Sequence, residues 1–244
     1  MQTMTIAVSG ASGKLGRMVL RELARLTDAS VLALSRTPEP FGANGRYADF
    51  DRPEGLATAL EGVTRLVLIS TDALDGDRRV YQHRNAIEAA QAAGVRHVVY
   101  TSILHATTSP LTSVVADHAE TERLLAMSGL GYSVLRNAFY DDLAYQIVGR
   151  AVDGAFAHAA GEGGVAYVRR ADCALAAATA VAGNFDGKRV LDITGPEAID
   201  MPGLAVRSGL RAVAVSEAEL VDRLVASGIS AGAPCRQPRR TSSD

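Results

Sequence analysis

The chain reads as an α/β protein built on a doubly wound parallel sheet, with a small C-terminal substrate-capping region. Three observations predict this. An apolar strand, a glycine-rich turn and a helix start fall at the very beginning of the chain. Apolar runs of strand length then alternate with helical patterns of roughly ten to fifteen residues, the rhythm of right-handed βαβ crossovers. The 244 residues suffice for one such domain with a sizeable core.

Taken in order, Ile6-Ala7-Val8 is the first strand, and it runs into Ser9-Gly10-Ala11-Ser12-Gly13-Lys14-Leu15-Gly16. The glycines form G-x-x-G-x-x-G, a variant of the G-x-G-x-x-G dinucleotide pattern. In such a turn one glycine makes the bend, one lets backbone N–H groups approach a pyrophosphate, and one lets helix and strand pack closely. A helix over residues 14–27 aims its positive N-terminal dipole at that anion. Residues 31–35 form the second strand. A loop rich in Pro and Gly leads to a weak third strand at 47–50 and a helix over 53–61. Arg65-Leu66-Val67-Leu68-Ile69-Ser70 is apolar almost throughout, as a strand buried on both faces requires. A helix over 80–93 closes at Gly94, a C-cap position. Strands at 95–102 and 132–135 flank a helix over 117–128 that ends at Gly129. The result is a Rossmann-type fold.

The remainder reads differently. Residues 141–153 are helical, 154–157 and 165–168 are short strands, 170–182 is an alanine-rich helix, and 189–194 is a strand. Beyond Pro196 the pattern weakens to a strand at 212–215 and a helix over 216–227. The domain scheme is therefore an NAD(P)-binding core over 1–140 and a capping region over 141–230, interleaved with that core. The capping region is expected over the carboxyl ends of the strands, where such sheets bind ligands. Residues 231–244, with Pro234, Pro238, Arg239 and Arg240, carry no core-forming pattern and are expected to be a disordered tail.

Apolar residues make up 48% of the chain and charged residues 21%, the balance of a soluble globular protein. A formal charge of −2 offers nothing to nucleic acid or an anionic membrane as partner. No signal peptide is visible at the start, and no apolar run approaches the ~20 residues of a membrane span. Cys173 and Cys235 stand far apart without metal-ligand spacing, so a reducing, cytoplasmic setting with no metal is expected. The oligomeric state is left open, a homodimer being among the states allowed. No Gly-x-Ser-x-Gly nucleophile elbow is present.

The second strand ends at Ser35-Arg36, where NAD-binding sheets carry an acid for the ribose 2′-hydroxyl. A guanidinium there suits a 2′-phosphate through charge-assisted bidentate bonding, which favours NADP(H). Lys14 adds a second positive charge. Asp49 and Phe50 follow the third strand and either contact the adenine or form an ordinary polar loop.

From Tyr81 onward, Gln82-His83-Arg84-Asn85-Ala86-Ile87-Glu88-Ala89-Ala90 and Ala93-Gly94-Val95-Arg96-His97-Val98-Val99-Tyr100-Thr101-Ser102 resemble the NmrA-like branch of atypical short-chain dehydrogenases/reductases. Ile103-Leu104-His105-Ala106, Thr108-Ser109-Pro110, His118-Ala119-Glu120-Thr121-Glu122 and Leu135-Arg136-Asn137-Ala138-Phe139-Tyr140 are most similar to bacterial NAD(P)H:quinone oxidoreductases, with triphenylmethane-dye reductases as near relatives. The similarity covers roughly four-fifths of the chain, from Met4 to Pro196.

The resemblance implies that Gly10 to Gly16 hold the pyrophosphate of NADP(H) and Arg36 its 2′-phosphate. It places Ser70 near the ribose and phosphates, with Tyr100, Thr101, Ser102, Asn137, Ala138, Phe139 and Tyr140 flanking the nicotinamide. The implied activity is hydride transfer to a quinone-like small molecule, with no flavin. Two departures qualify it. The Tyr-x-x-x-Lys pair that moves the substrate proton in most short-chain dehydrogenases falls on Val114 and His118, which argues against alcohol/ketone chemistry and against a sugar epimerase or dehydratase. Quinone reduction needs no such relay, because a phenol with a pKa near 10 leaves a phenolate that water protonates. The second departure is a compressed segment over 197–211 and an end, Pro234-Cys235-Arg236-Gln237-Pro238, without counterpart. A diverged lid is expected to spare NADPH binding and weaken the acceptor site. The rival reading is a non-catalytic NADP(H)-sensing regulator.

His105, Asn137 and Tyr140 are the substrate-pocket candidates. His105 is either a polar loop residue or faces the substrate, Asn137 reaches the carboxamide or the substrate oxygen, and Tyr140 stacks on the acceptor or packs in the core. His118 is expected on the helix surface, with a ribose contact as its alternative, and Cys173 in the core.

Overall fold

The computed structural model of the chain describes residues 4–73, 76–109 and 114–228. They form two compact units: one from the residues up to Asn137 together with Arg170–Ile193, the other from Ala138–Arg169 with the chain after Thr194. The elements of the first unit are β1 (Thr5–Val8), α1 (Lys14–Leu26), β2 (Ser30–Ser35), β3 (Gly45–Tyr47), α2 (Leu56–Ala59), β4 (Arg65–Leu68), α3 (Gly76–Ala92), β5 (His97–Ile103), α4 (Val114–Met127) and β6 (Gly131–Asn137). After α5 (Asp141–Val148) and β7 (Ala155–His158), which belong to the second unit, the chain returns with α6 (Arg170–Ala182) and β8 (Lys188–Ile193). The second unit is completed by α7 (Met201–Ser208), β9 (Arg211–Ala214) and α8 (Glu217–Ala226).

Seven strands make one sheet in the order β3-β2-β1-β4-β5-β6-β8, every neighbouring pair parallel. The winding reverses between β1 and β4, and a crevice at that switch point is where doubly wound sheets take their ligands. β4 is buried at all four positions, which explains the apolar run Leu66-Val67-Leu68. Ala7, Leu34, Leu66, Leu68, Val98 and Tyr100 share one core cluster with Leu56, Ile87, Ala90 and Leu125 of α2, α3 and α4. Elsewhere α1 packs against α6, whose buried residues are mainly alanine, together with Cys173 and Val181. Small side chains there allow close helix approach.

One polar cluster braces the opposite, amino-terminal end of the sheet. Arg65 is buried on β4 and pairs with Asp186 at 2.5 Å while donating to the Phe185 carbonyl at 2.6 Å. His97, also buried, bonds Ser133 Oγ at 3.0 Å, and Arg189 donates to the same hydroxyl at 2.9 Å.

In the second unit β7 and β9 pair in parallel from Ala155↔Arg211 to His158↔Ala214. Phe156, Met201, Leu204 and Ala205 form its core with Ile147 and Ile199 packed against them. Asp200 caps α7 by accepting from Gly203 N at 2.7 Å, and Gly209, in the left-handed region at φ 68°, ends it.

Several sequence expectations require correction. The third strand covers Gly45–Tyr47 rather than 47–50, because Asp49 accepts the Asp51 amide in a side-chain turn that ends the extended chain. The helix predicted over 141–153 stops at Val148; Asp153 and Gly154 adopt positive φ in a tight turn closed by two bonds between Val152 and Ala155. Residues 165–168 form no strand. Val165 bridges Ile199 and Val168 bridges Tyr140, different partners at each end, so no ladder propagates. α3 begins a turn earlier than residue 80, and α6 and β8 fall in the sheet unit rather than the capping region. The predicted tail over 231–244 lies outside the described residues.

Candidate cofactor site

The turn after β1 is shaped by its glycines. Gly10 sits at φ 58°, where an L side chain is strained, and Gly13 N donates to Gly10 O at 2.9 Å to close the bend. A Cβ on Gly16 would run into the Gly10 carbonyl and the Ala11 Cα. α1 starts at Gly13 with no side-chain cap and no acid in its first turn. Exposed Lys14 opens the helix, against the dipole, so the N-terminus is electrostatically unfavourable until an anion binds.

The serine pair Ser35 Oγ–Ser12 Oγ, at 3.2 Å, ties this turn to the end of β2, where exposed Arg36 follows. Arg17 Nε donates to Ser12 O at 2.9 Å. Lys14, Arg17 and Arg36 thus cluster at one anion-shaped turn, and none forms an ion pair among the described residues. A pyrophosphate plus a 2′-phosphate matches this donor set. Arg36 also helps hold the Asp51 carboxyl below its usual range, after the larger effect of the Arg78 hydrogen bonds at 3.1 and 2.7 Å.

Asp49 and Phe50 have structural duties at this end. Asp49 stands 3.9 Å from Arg52 in addition to its turn bond, and Phe50 packs on the core while its carbonyl accepts from Asn85 at 2.8 Å.

The carboxyl ends of β1, β4 and β5 are knitted together. Ser9 Oγ accepts from Ile69 N at 2.9 Å, and Thr101 Oγ1 from Ser70 N at 2.9 Å. Ser102 Oγ donates to Glu122 at 2.6 Å, and Glu122 is gripped by Arg136 at 2.7 and 3.0 Å. Arg136 also reaches Thr107 at 3.0 Å, which fixes the loop after β5. In that loop His105 is exposed and adopts φ 60°, an uncommon conformation for a non-glycine residue and one that recurs at functional sites. Asn137 is buried opposite Ile103, and its carbonyl accepts from Leu104 N at 2.9 Å.

Ala138, Phe139 and Tyr140 open the second unit. Ala138 is buried, Phe139 is exposed, and Tyr140 is half-buried at the N-cap of α5. The Tyr100 side chain lies wholly in the core, so only its backbone is available at the sheet end.

His118 differs from its expected surface position. It falls on the buried stripe of α4 with Val115, Thr121, Glu122 and Leu125, and its Nδ1 lies 2.7 Å from the Tyr100 hydroxyl. Spacing of three and four residues along that stripe was the legible signal. His83 is also buried. It bonds Thr121 Oγ1 at 2.8 Å and accepts from Thr71 N at 3.2 Å. Burial is the main cause that lowers the imidazoles of His83, to about 3, and of His118, to about 4.

This geometry agrees with a comparison across known proteins, in which the NAD(P)H-binding family model matches residues 10–183. The chain belongs to that family. This member is 40% identical to quinone oxidoreductase 2 of Escherichia coli over 208 residues, 82% of this chain and 72% of that protein. Among solved structures it resembles the NADPH complex of an Escherichia coli NADPH-dependent quinone oxidoreductase, with a TM-score of 0.83 at 38% identity, across 91% of this chain and 83% of that one. The NADP(H) complex of Citrobacter sp. triphenylmethane reductase gives the same TM-score at 31% identity, across 93% and 84%. The sheet order and the NADP(H) assignment accord with these neighbours, and no described helix is long and apolar enough to cross a membrane.

Proposed function

We propose that the protein is an NADPH-dependent reductase acting on quinones or similar flat, conjugated acceptors in the cytoplasm. The observation that carries this reading is the uncapped, cation-flanked glycine turn in a chain 40% identical to a quinone oxidoreductase. Bound NADPH would supply the hydride and both electrons. The chain's own part is to hold and orient. Backbone N–H groups of the turn and first helical residues hold the pyrophosphate, and Arg36, supported by Lys14, holds the 2′-phosphate. Ser70, Thr101 and Ser102 bound the ribose and nicotinamide end. In the first unit His105 and Asn137 face the acceptor.

The test is loss of NADPH absorbance with the purified protein and a panel of quinones, NADH being run in parallel. Quinone-dependent oxidation faster with NADPH is the expected result. Tight NADPH binding with no turnover on any acceptor would refute the reductase reading and leave the cofactor-sensing one.

A further inference from the structure

The loop after β3 passes beside Arg36 and carries two acids. Ala48 N donates to Ser35 O at 3.0 Å, so the chain leaves β3 alongside the residue that precedes Arg36. It then turns sharply: Arg52 N donates to Asp49 O at 2.9 Å, and Asp51 N to Asp49 Oδ1 at 3.1 Å. Phe50 pins the turn from inside, packing on the core while its carbonyl accepts from Asn85 at 2.8 Å. The backbone that carries Asp51 is thereby fixed. Each acid of the turn has its own arginine. Asp49 stands 3.9 Å from Arg52, and Asp51 takes two hydrogen bonds from Arg78 in the first turn of α3. Nε meets one carboxylate oxygen at 3.1 Å and Nη2 the other at 2.7 Å, the bidentate form that is the strongest of such pairs. Two acids matched by two arginines leave the turn without net charge. Arg36, exposed and in no ion pair among the described residues, stays uncommitted beside it.

An acid at the adenosine end of a doubly wound sheet favours NAD, because it takes the ribose 2′-hydroxyl and repels a 2′-phosphate. We propose that Arg78 is a positioning residue for cofactor choice: by holding Asp51 in a bidentate pair, it keeps that acid from Arg36 and from the 2′-phosphate. The inference rests on the NADPH reading above. Without Arg78, the turn carries one uncompensated negative charge next to Arg36. That charge draws the guanidinium towards itself and repels a dianionic phosphate. Both effects act against NADPH, and neither acts against NADH, whose ribose carries a hydroxyl in place of the phosphate. The Asp51 side chain is 28% exposed, so water and salt attenuate the effect without abolishing it. Arg36 supplies the attraction for the phosphate, and Arg78 removes its nearest competitor.

Calorimetric titration of the full chain with adenosine 2′,5′-bisphosphate and with 5′-AMP reads the phosphate contact apart from turnover. The wild-type protein should bind the bisphosphate more tightly. Arg78→Gln should weaken bisphosphate binding about five- to tenfold at low salt and leave 5′-AMP within about twofold, and the difference should shrink as ionic strength rises. Adding Asp51→Asn to Arg78→Gln should restore the bisphosphate affinity, because the released acid is then gone. Asp51→Asn alone should bind the bisphosphate at least as tightly as the wild type, which tests the role of the acid without disturbing Arg78. The NADPH/NADH ratio of kcat/KM with a quinone should follow the same pattern. Unchanged bisphosphate binding in Arg78→Gln, equal weakening of both ligands, or no recovery in the double variant overturns the proposal while the NADPH reading stands. A wild-type protein that binds the bisphosphate no more tightly than 5′-AMP overturns the NADPH reading and the proposal with it.

Discussion

Acidification from pH 7 to 5 tests the buried polar core directly. His83, His97 and His118 are all buried, and burial is the first cause that lowers each imidazole, to about 3, 4 and 4 respectively. Arg79 adds to the effect on His83 and His118, and Arg65 to that on His97, where Asp186 opposes it. An unfolded imidazole titrates near 6.5. The folded chain therefore excludes protons that the unfolded chain accepts, and stability that is complete above about pH 6.5 is lost as pH falls below it. Each histidine contributes a limiting slope of about 1.4 kcal/mol per pH unit, so three give about 4. From pH 6.5 to 5 the cumulative loss is about 5 kcal/mol after rounding at the onset, comparable to the whole stability of many domains. The lowered carboxyls, Asp51, Glu120 and Glu197, act in the same direction, but only below the ordinary carboxylate range, outside this window. The chain has no tryptophan, so the assay is urea unfolding followed by circular dichroism at half-unit steps of pH. The expected result is a midpoint that falls steeply below pH 6.5 at constant m-value, with unfolding near pH 5. A midpoint that stays flat from pH 7 to 5 would refute the reasoning.

Arg36→Asp replaces a charge-assisted pair with repulsion at the 2′-phosphate. It should lower kcat/KM for NADPH by about a hundredfold and leave NADH within a few-fold, since such hydrogen bonds are worth about 1.5–3 kcal/mol. An unchanged NADPH/NADH ratio in steady-state assays would mean that another cation reads the phosphate. Gly16→Ala places a methyl against Gly10 and Ala11 backbone, which cannot yield as a side chain does. It should destabilise by about 1–3 kcal/mol and weaken NADPH binding by more than tenfold on fluorescence titration; wild-type affinity would contradict the close approach. Asp186→Ala leaves the Arg65 guanidinium buried with only the Phe185 carbonyl. Because Asp186 itself is exposed, a loss of about 2 kcal/mol is expected, less than for a wholly buried pair, read as a lower urea midpoint.

What was legible in the sequence was local or periodic. The glycine turn is encoded by residues within one bend of each other, and β4 declares its burial by lacking any alternation. Missed boundaries fell where short polar residues act through their own backbone. Asp49 ends β3 by a bond to the next residue but one, and Asp153-Gly154 makes a tight turn inside what reads as continued helix. Even α7 carried its signals, Asp200 at the cap, Pro202 in the first turn and Gly209 at the end, but they were outweighed by weak apolar periodicity.

The candidate site divides along the same line. Lys14 and Arg36 could be counted from spacing, because they gather wherever β1, α1 and β2 form, whereas Arg17, which donates to Ser12 O, was missed. The Tyr100–His118 bond could not, since neither residue reports its partner: a tyrosine in an apolar strand reads as core, and a histidine in a charged helix reads as surface. Tyr100 is in the core and His118 keeps an outward edge. A polar group enters a core only where its hydrogen bond is met. His118 on the apolar stripe of α4 therefore implied a buried partner, and β5, which packs against that helix, was the place to look for a hydroxyl. The Tyr-x-x-x-Lys spacing does not report this bond, because the hydroxyl comes from a strand rather than from four residues earlier on the helix.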